Sequence, residues 1–293
     1  MNPTNGRGTP RQPLILITND DGIDSPGLHA LVNAAHGLGE ILVAAPTTQQ
    51  TAQGRSLGGD RSASFRPASQ REWPADVRAF HIAATPALTV RHALAVLTPD
   101  RLPDLVLSGI NYGENVGSNI TISGTVGAAF QAAAQSVPAV ALSRQTTIDH
   151  HYVYGELDWS DAERVARGWI ERVLALLQMT PAEVHGMVRS LPFDVLKIDI
   201  PDPCPPGTEE RITRLSRSAY FHSVVTDPKP DQPLSAAITS ITTDAAGLDP
   251  HDDIHAVAID RIVSITPLTL DCTAPVDPVR DAFDRLAIRS NVQ

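Results

Sequence analysis

Asn19, Asp20 and Asp21 stand directly after Leu14-Ile15-Leu16-Ile17-Thr18, so two carboxylates and a carboxamide close a run of large aliphatic residues. An unbroken aliphatic run is what a strand buried on both faces requires. Asp and Asn are poor strand residues and good donors to hard cations. Gly22 permits a sharp turn, and Ser25-Pro26 has the form of a helix N-cap and first helical residue. Adjacent carboxylates at the carboxyl end of a buried strand lie where open α/β sheets bind their ligands. Two further polar clusters follow predicted strands: Thr51 to Ser56, and Ser108 to Asn119 with Ser123-Gly124-Thr125. Asp20 and Asp21 supply anionic oxygens and Asn111 a carbonyl oxygen, a set that suits Mg²⁺ or Mn²⁺ rather than zinc. Ser123-Gly124-Thr125 opens a helix, whose N–H groups and hydroxyls form a phosphate-binding terminus. A cation site beside such a cradle implies metal-assisted phosphate ester chemistry. Each cluster alone is also what a polar turn or a plain helix start looks like. Their joint occurrence at strand ends carries the functional reading.

The elements that must position these clusters alternate along the chain. After the first strand, Pro26 to His36 has a helical apolar pattern and stops at Gly37-Leu38-Gly39; Ile41 to Ala45 is a second buried strand. A polar loop spans Thr47 to Arg71, and Val77 to Ala83 reads as a strand. A helix over Pro86 to Leu97 has Thr85 placed to cap it. Leu105 to Leu107, a helix over Gly124 to Ala134 and a strand over Val137 to Leu142 follow. Ser160-Asp161-Ala162-Glu163 has the form of a capping box, with Trp159 as staple, for a long helix to about Met179. A strand over 193–200 ends in a Pro-rich turn. The pattern predicts an α/β fold with a doubly wound, mainly parallel sheet. Beyond residue 202, short strands without helices (212–215, 220–225, 236–241, 261–265) read as a β-hairpin extension, and 277–288 as a closing helix. The division expected is a disordered tail over 1–12, a catalytic α/β domain over 13–201 and an oligomerisation extension over 202–293.

Composition removes other classes. A net charge of −10 over 293 residues argues against a nucleic-acid duplex as partner. No apolar run reaches membrane-spanning length, and residues 1–12 lack the core of a signal peptide, so a cytoplasmic protein without membrane contact is expected. Cys204 and Cys272, the only cysteines, give no disulfide framework. Lys197 and Lys229 are the only lysines. Without GxxxxGK[ST] there is no P-loop, and neither lysine lies near the motifs as a Schiff-base residue would. Adjacent Asp20-Asp21 fails the Asp-x-Asp spacing of haloacid-dehalogenase phosphatases, and no GxGxxG marks a dehydrogenase. A phospho-receiver module needs Asp where Ser108-Gly109 stand and Lys where Ser143-Arg144 stand. His150-His151 and His251 to His255 read as solvated loops, Trp159 and Trp169 as core, and His29 as a surface or packing residue near the site. Tyr112 reads either as a ring for a base to stack on or as a turn aromatic.

Residues 15–27 (ILITNDDGIDSPG), 108–117 (SGINYGENVG), 123–129 (SGTVGAA) and 263–268 (VSITPL) resemble the signatures of the SurE family of metal-dependent nucleotidases. The resemblance implies a Rossmann-like, SurE-like fold and hydrolysis of nucleoside monophosphates (5′/3′-nucleotidase), and the hairpin-rich section beyond 202 suggests a homodimer with exchanged arms or a homotetramer of such pairs. It implies one divalent metal ion per subunit, Mg or Mn, held by Asp20, Asp21, Asn111 and Thr51, which stands where the family has Ser. Asp20 and Asp21 would be catalytic, Asp20 orienting or deprotonating the attacking water. Asn19, Asn115, Ser123, Gly124 and Thr125 would bind phosphate and substrate. Thr47, Ala84, Lys197 and Asp199 depart from the family's Asp, Gly and paired Asn. Thr51 and Thr47 leave a catalytically weak or inactive SurE-like nucleotide-binding protein as the alternative.

Overall fold

The aliphatic runs are spent as their composition requires: Leu14 to Ile17, Ile41 to Ala45, Leu105 to Leu107 and Ala139 to Leu142 are all buried. The computed structural model describes residues 11–69, 72–151, 153–179, 191–241, 243–281 and 283. Six strands lie parallel: β1 (Leu14–Thr18), β2 (Glu40–Pro46), β4 (Arg78–Ile82), β5 (Leu105–Tyr112), β6 (Ala139–Arg144) and β7 (Val195–Ile200). The edges are completed by β3 (Arg66–Pro67), antiparallel to β4, and by β11 (Val263–Leu268), antiparallel to β7, with β8 (Glu210–Ile212) beyond it. The order is β3-β4-β2-β1-β5-β6-β7-β11-β8, so β5 is the middle strand and β1 lies beside it. β9 (Phe221–Val224) and β10 (Ile238–Ile241) form a separate antiparallel pair.

Helices α1 (Pro26–Ala35) and α4 (Ser160–Met179) pack on one face of the sheet, through Leu28, Leu31, Val165 and Ile170. Helices α2 (Pro86–Val96) and α3 (Gly124–Ala133) pack on the other, through Val90, Leu94, Val126 and Ala129. The sheet is doubly wound, as expected. None of the described helices is long and apolar enough to cross a membrane.

Local differences have local causes. Thr85 does not cap α2; its hydroxyl donates to the Ser56 carbonyl at 2.6 Å and ties down the loop after β2. The capping box is displaced: Ser160 is already helical, and Asp158 accepts its N–H at 2.9 Å. β5 runs on through the Ser108 motif to Tyr112, with a register break against β6 between Ser108 and Asn111. The expected extension contributes β8 and β11 to the main sheet rather than lying wholly apart. The closing helix expected over 277–288 starts at 276, and residues 282 and 284–293 lie outside the described residues, as do 1–10 of the expected tail.

Candidate active site

The carboxyl ends of β1 and β5 are neighbours, which brings Asn19-Asp20-Asp21 beside Asn111. A cavity of about 160 Å³ opens there, lined by Asp20, Asp21, Thr51, Asn111, Asn115 and Ser123. These residues come from the connections after β1, β2 and β5 and from the end of β5 itself, so the predicted strand ends do converge on one cavity. Glu114, Asn119, His151, Phe221 and Thr239 line the same cavity.

Asp20 is seated on the N-terminus of α3. Its Oδ1 accepts the Thr125 hydroxyl, and the N–H groups of Gly124 and Thr125 also donate to its carboxylate. A Cβ on Gly124 would stand 2.6 Å from Asp20 Oδ2, so glycine is required for the approach. The positive end of a helix stabilises an anion there. Burial nevertheless pushes the Asp20 carboxyl up to about 6, against the pull of these donors. Asp21 is held by weaker bonds, from Gln49 Nε2 (3.2 Å) and the Tyr112 N–H (3.3 Å). Burial, and next the charge of Asp20, keep Asp21 well above the usual carboxylate range. Both side chains are buried, and among the described residues no Lys, Arg or His pairs with either.

Two buried carboxylates side by side without a cationic side chain fit a divalent cation, whose charge offsets theirs. Among the described residues no cluster of three or more His, Cys, Asp or Glu could hold a metal, so the remaining ligands must be neutral oxygens. Asn111 is ready for that part: its Nδ2 donates to the carbonyls of Tyr112 (3.2 Å) and Gly113 (2.7 Å), leaving its amide oxygen over. Thr51 brings a hydroxyl to the same cavity. An all-oxygen set selects a hard ion.

The expected phosphate residues divide. Asn115 and Ser123 line the cavity, Asn115 bonded through Nδ2 to Ser143 Oγ (2.8 Å) and Ser123 capping α3 by accepting the Val126 N–H (3.1 Å). Gly124 and Thr125 instead give their donors to Asp20, filling the helix terminus from within the chain. Asn19 is turned away: its amide donates to the Gly22 carbonyl (2.9 Å) and accepts the Gly22 N–H (3.1 Å), closing the turn that presents the acidic pair.

Distant segments complete the site. Tyr154 donates its hydroxyl to the Asp21 carbonyl, and Gln49 Nε2 also donates to the His151 carbonyl at 2.8 Å. His151 is therefore no solvated loop residue; burial, and next His150, press its imidazole toward the neutral form. Lys197, remote from the motifs in sequence, lies fully buried behind the Asn111 loop, paired with Asp199 and, at 3.1 Å, with Asp253. Asp199 accepts the Asn115 N–H (2.7 Å) and Asp253 the Gly117 N–H (3.0 Å). Asp253 thus leaves the His251–His255 loop for the interior. His29 packs on Trp73, ring to ring at 4.1 Å.

Comparison with known proteins gives a consistent set of similarities. Residues 15–222 match the family described as Survival protein SurE. The 5′-nucleotidase SurE of Methanocella arvoryzae is 36% identical over 264 residues, 89% of this chain and 93% of that protein. The 5′-nucleotidase SurE of Methanoculleus marisnigri is 37% identical over 288 residues, 94% of this chain and all of that protein. The crystal structure of the SurE protein from Aquifex aeolicus superposes with a TM-score of 0.69 at 26% identity, covering 94% of this chain and all of that one.

Proposed function

The chain belongs to the SurE family, and from that premise we propose that the Asp20–Asp21 cavity is the reaction centre of a nucleotidase. The protein is a phosphoric monoester hydrolase acting on nucleoside monophosphates. The observation that carries the site assignment is the convergence of Asp20, Asp21, Thr51, Asn111, Asn115 and Ser123 on one cavity.

Family membership implies dependence on a divalent metal ion, and the oxygen donors of Asp20, Asp21, Thr51 and Asn111 favour Mg or Mn, one per subunit. When bound, such an ion offsets charge on the phosphoryl oxygens and acidifies water. Asp20 orients the attacking water and accepts its proton. Gly124 and Thr125 hold Asp20 in place for this. Asn115 keeps an amide N–H and Ser123 its hydroxyl proton, and these bind the phosphoryl group; Asn19 sets the turn. Tyr154, bonded to the Asp21 carbonyl, and the His151 segment, tied to Gln49, brace Asp21.

The β9–β10 hairpin leaves Leu234 and Ile238 largely exposed, which supports its use as a contact in a homodimer or homotetramer. Two free cysteines, one of them exposed, agree with a cytoplasmic location.

The test is a nucleoside monophosphate panel with added Mn²⁺ or Mg²⁺, run on Asp20→Asn and Asp21→Ala beside the parent chain. Each variant should lose about 10²-fold or more in kcat. Full activity of D20N with Mn²⁺ would sink the assignment.

A further inference from the structure

Tyr112, the ring in the motif that a flat ligand could stack on, is not free to do so. It is buried against Tyr154 (centroids 5.6 Å apart) and, edge-on, Trp159 (5.0 Å). Tyr112 and His151 line the cavity too, but the Tyr112 ring is taken up by that cluster, whereas Phe221, at the start of β9, brings a half-buried ring to the cavity wall.

Phe221 is placed by the site loop itself. Asn119 Oδ1 accepts the N–H groups of Tyr220 (2.7 Å) and Phe221 (3.1 Å), and Asn119 Nδ2 donates to the Phe221 carbonyl (3.3 Å). A carboxamide bonded through both ends to two successive residues of a segment about a hundred residues away fixes that segment against the site. The ring is buttressed edge-on by Tyr220 (4.8 Å) and His151 (5.3 Å). His151 is itself pinned, its ring tip lying against Gly113, where a Cβ would come within 2.4 Å of Nε2. Gly113 has φ of +99°, so two independent constraints keep that position small. Phe221, His151 and Thr239 thus give one rigid corner two rings and a hydroxyl, in the cavity that holds the acidic pair.

We propose that Phe221, buttressed by His151 and held by Asn119, is the platform on which the heterocyclic base of the substrate stacks. This corner then distinguishes nucleoside monophosphates from phosphate esters without a flat ring. The proposal rests on the nucleotidase reading above and adds its leaving-group subsite. Base–aromatic stacking tolerates any base, because every base has a π face, so the platform selects for a base without selecting which one.

The decisive comparison is AMP against ribose 5-phosphate, the same sugar phosphate without its base. In Phe221→Ala the ratio of kcat/KM for the two esters should fall on the order of 10-fold, through KM for AMP. Phe221→Trp should keep the ratio and Phe221→Leu, which preserves bulk but no π face, should lose it. Calorimetric binding of both esters to each variant gives the same ratio without turnover. A ratio within two-fold of the parent in F221A, or one lowered equally by F221W, overturns the platform. A parent chain that hydrolyses neither ester defeats the nucleotidase reading, and the calorimetric ratio still decides the platform. If F221A does not fold, F221L carries the expectation.

Discussion

Replacing Lys197 by Met should separate what the acidic pair does from what holds its loop in place. Lys197 is fully buried, as are Asp199 and Asp253, and it is the cation both carboxylates share. Each carboxylate has a further duty. Asp199 holds the Asn115 N–H; Asp253 holds Gly117 through Oδ2 and Ser216 (3.0 Å) and Ile254 (2.9 Å) through Oδ1. Removing one partner of a buried ionic group leaves its charge uncompensated, a loss of about 3–5 kcal/mol. For a chain of this size each kcal/mol moves the melting temperature by about 2–4 °C, so K197M should melt roughly 6–20 °C lower.

The pH dependence gives the loss a signature. Burial already raises Asp199 above its ordinary value, and loss of the ammonium beside it raises it further. A carboxyl raised in the folded state favours folding when protonated and opposes it as pH climbs through the folded value. The gap between K197M and the parent, read by circular dichroism melts from pH 5 to pH 8, should therefore widen with pH. Combining K197M with Asp199→Asn and Asp253→Asn removes the stranded charges while keeping acceptors for the backbone, and should recover most of the stability. A melting temperature for K197M within 2 °C of the parent at pH 8 would show that the triad does not hold the loop.

Two further perturbations act on Asp20. Gly124→Ala puts a methyl group into the 2.6 Å approach of Asp20 Oδ2, and kcat on AMP should fall about 10²-fold. A G124A enzyme within three-fold of the parent would mean that Asp20 needs no seat on α3. Thr125→Val removes a donor that holds the Asp20 carboxyl down, so its affinity for a proton rises. The acid limb of the kcat/KM profile should move to higher pH, and a move to lower pH or none would contradict the role given to that hydroxyl.

What the sequence made legible is what depends on neighbours along the chain. Aliphatic runs followed by Asp20-Asp21 and by Asn111 specify strand ends, and strand ends in a doubly wound sheet converge without any distant contact being known. What stayed hidden is how each donor and acceptor is spent, because that is settled by segments far away. Asn19 looks like a ligand residue until Gly22 takes both ends of its amide; Gly124 and Thr125 look like an open phosphate cradle until Asp20 fills it. Tyr154, 133 residues from Asp21, and Phe221, 102 from Asn119, carry no local mark of belonging to the site. Lys197 is the sharpest case, since a lone lysine within an aliphatic strand gives no hint of its partners. A buried lysine needs compensating anions, yet only the fold shows that one of them, Asp253, comes from a polar stretch that reads as solvated. The departures from the family's paired Asn at Lys197 and Asp199 are therefore one change rather than two. A cation and an anion that offset one another stand where the family has two neutral amides, Asp253 adds a second carboxylate to the same ammonium, and Asp199 holds the backbone of the Asn115 loop. Substituting Lys197 or Asp199 alone breaks that balance, so the two positions should be varied together with Asp253.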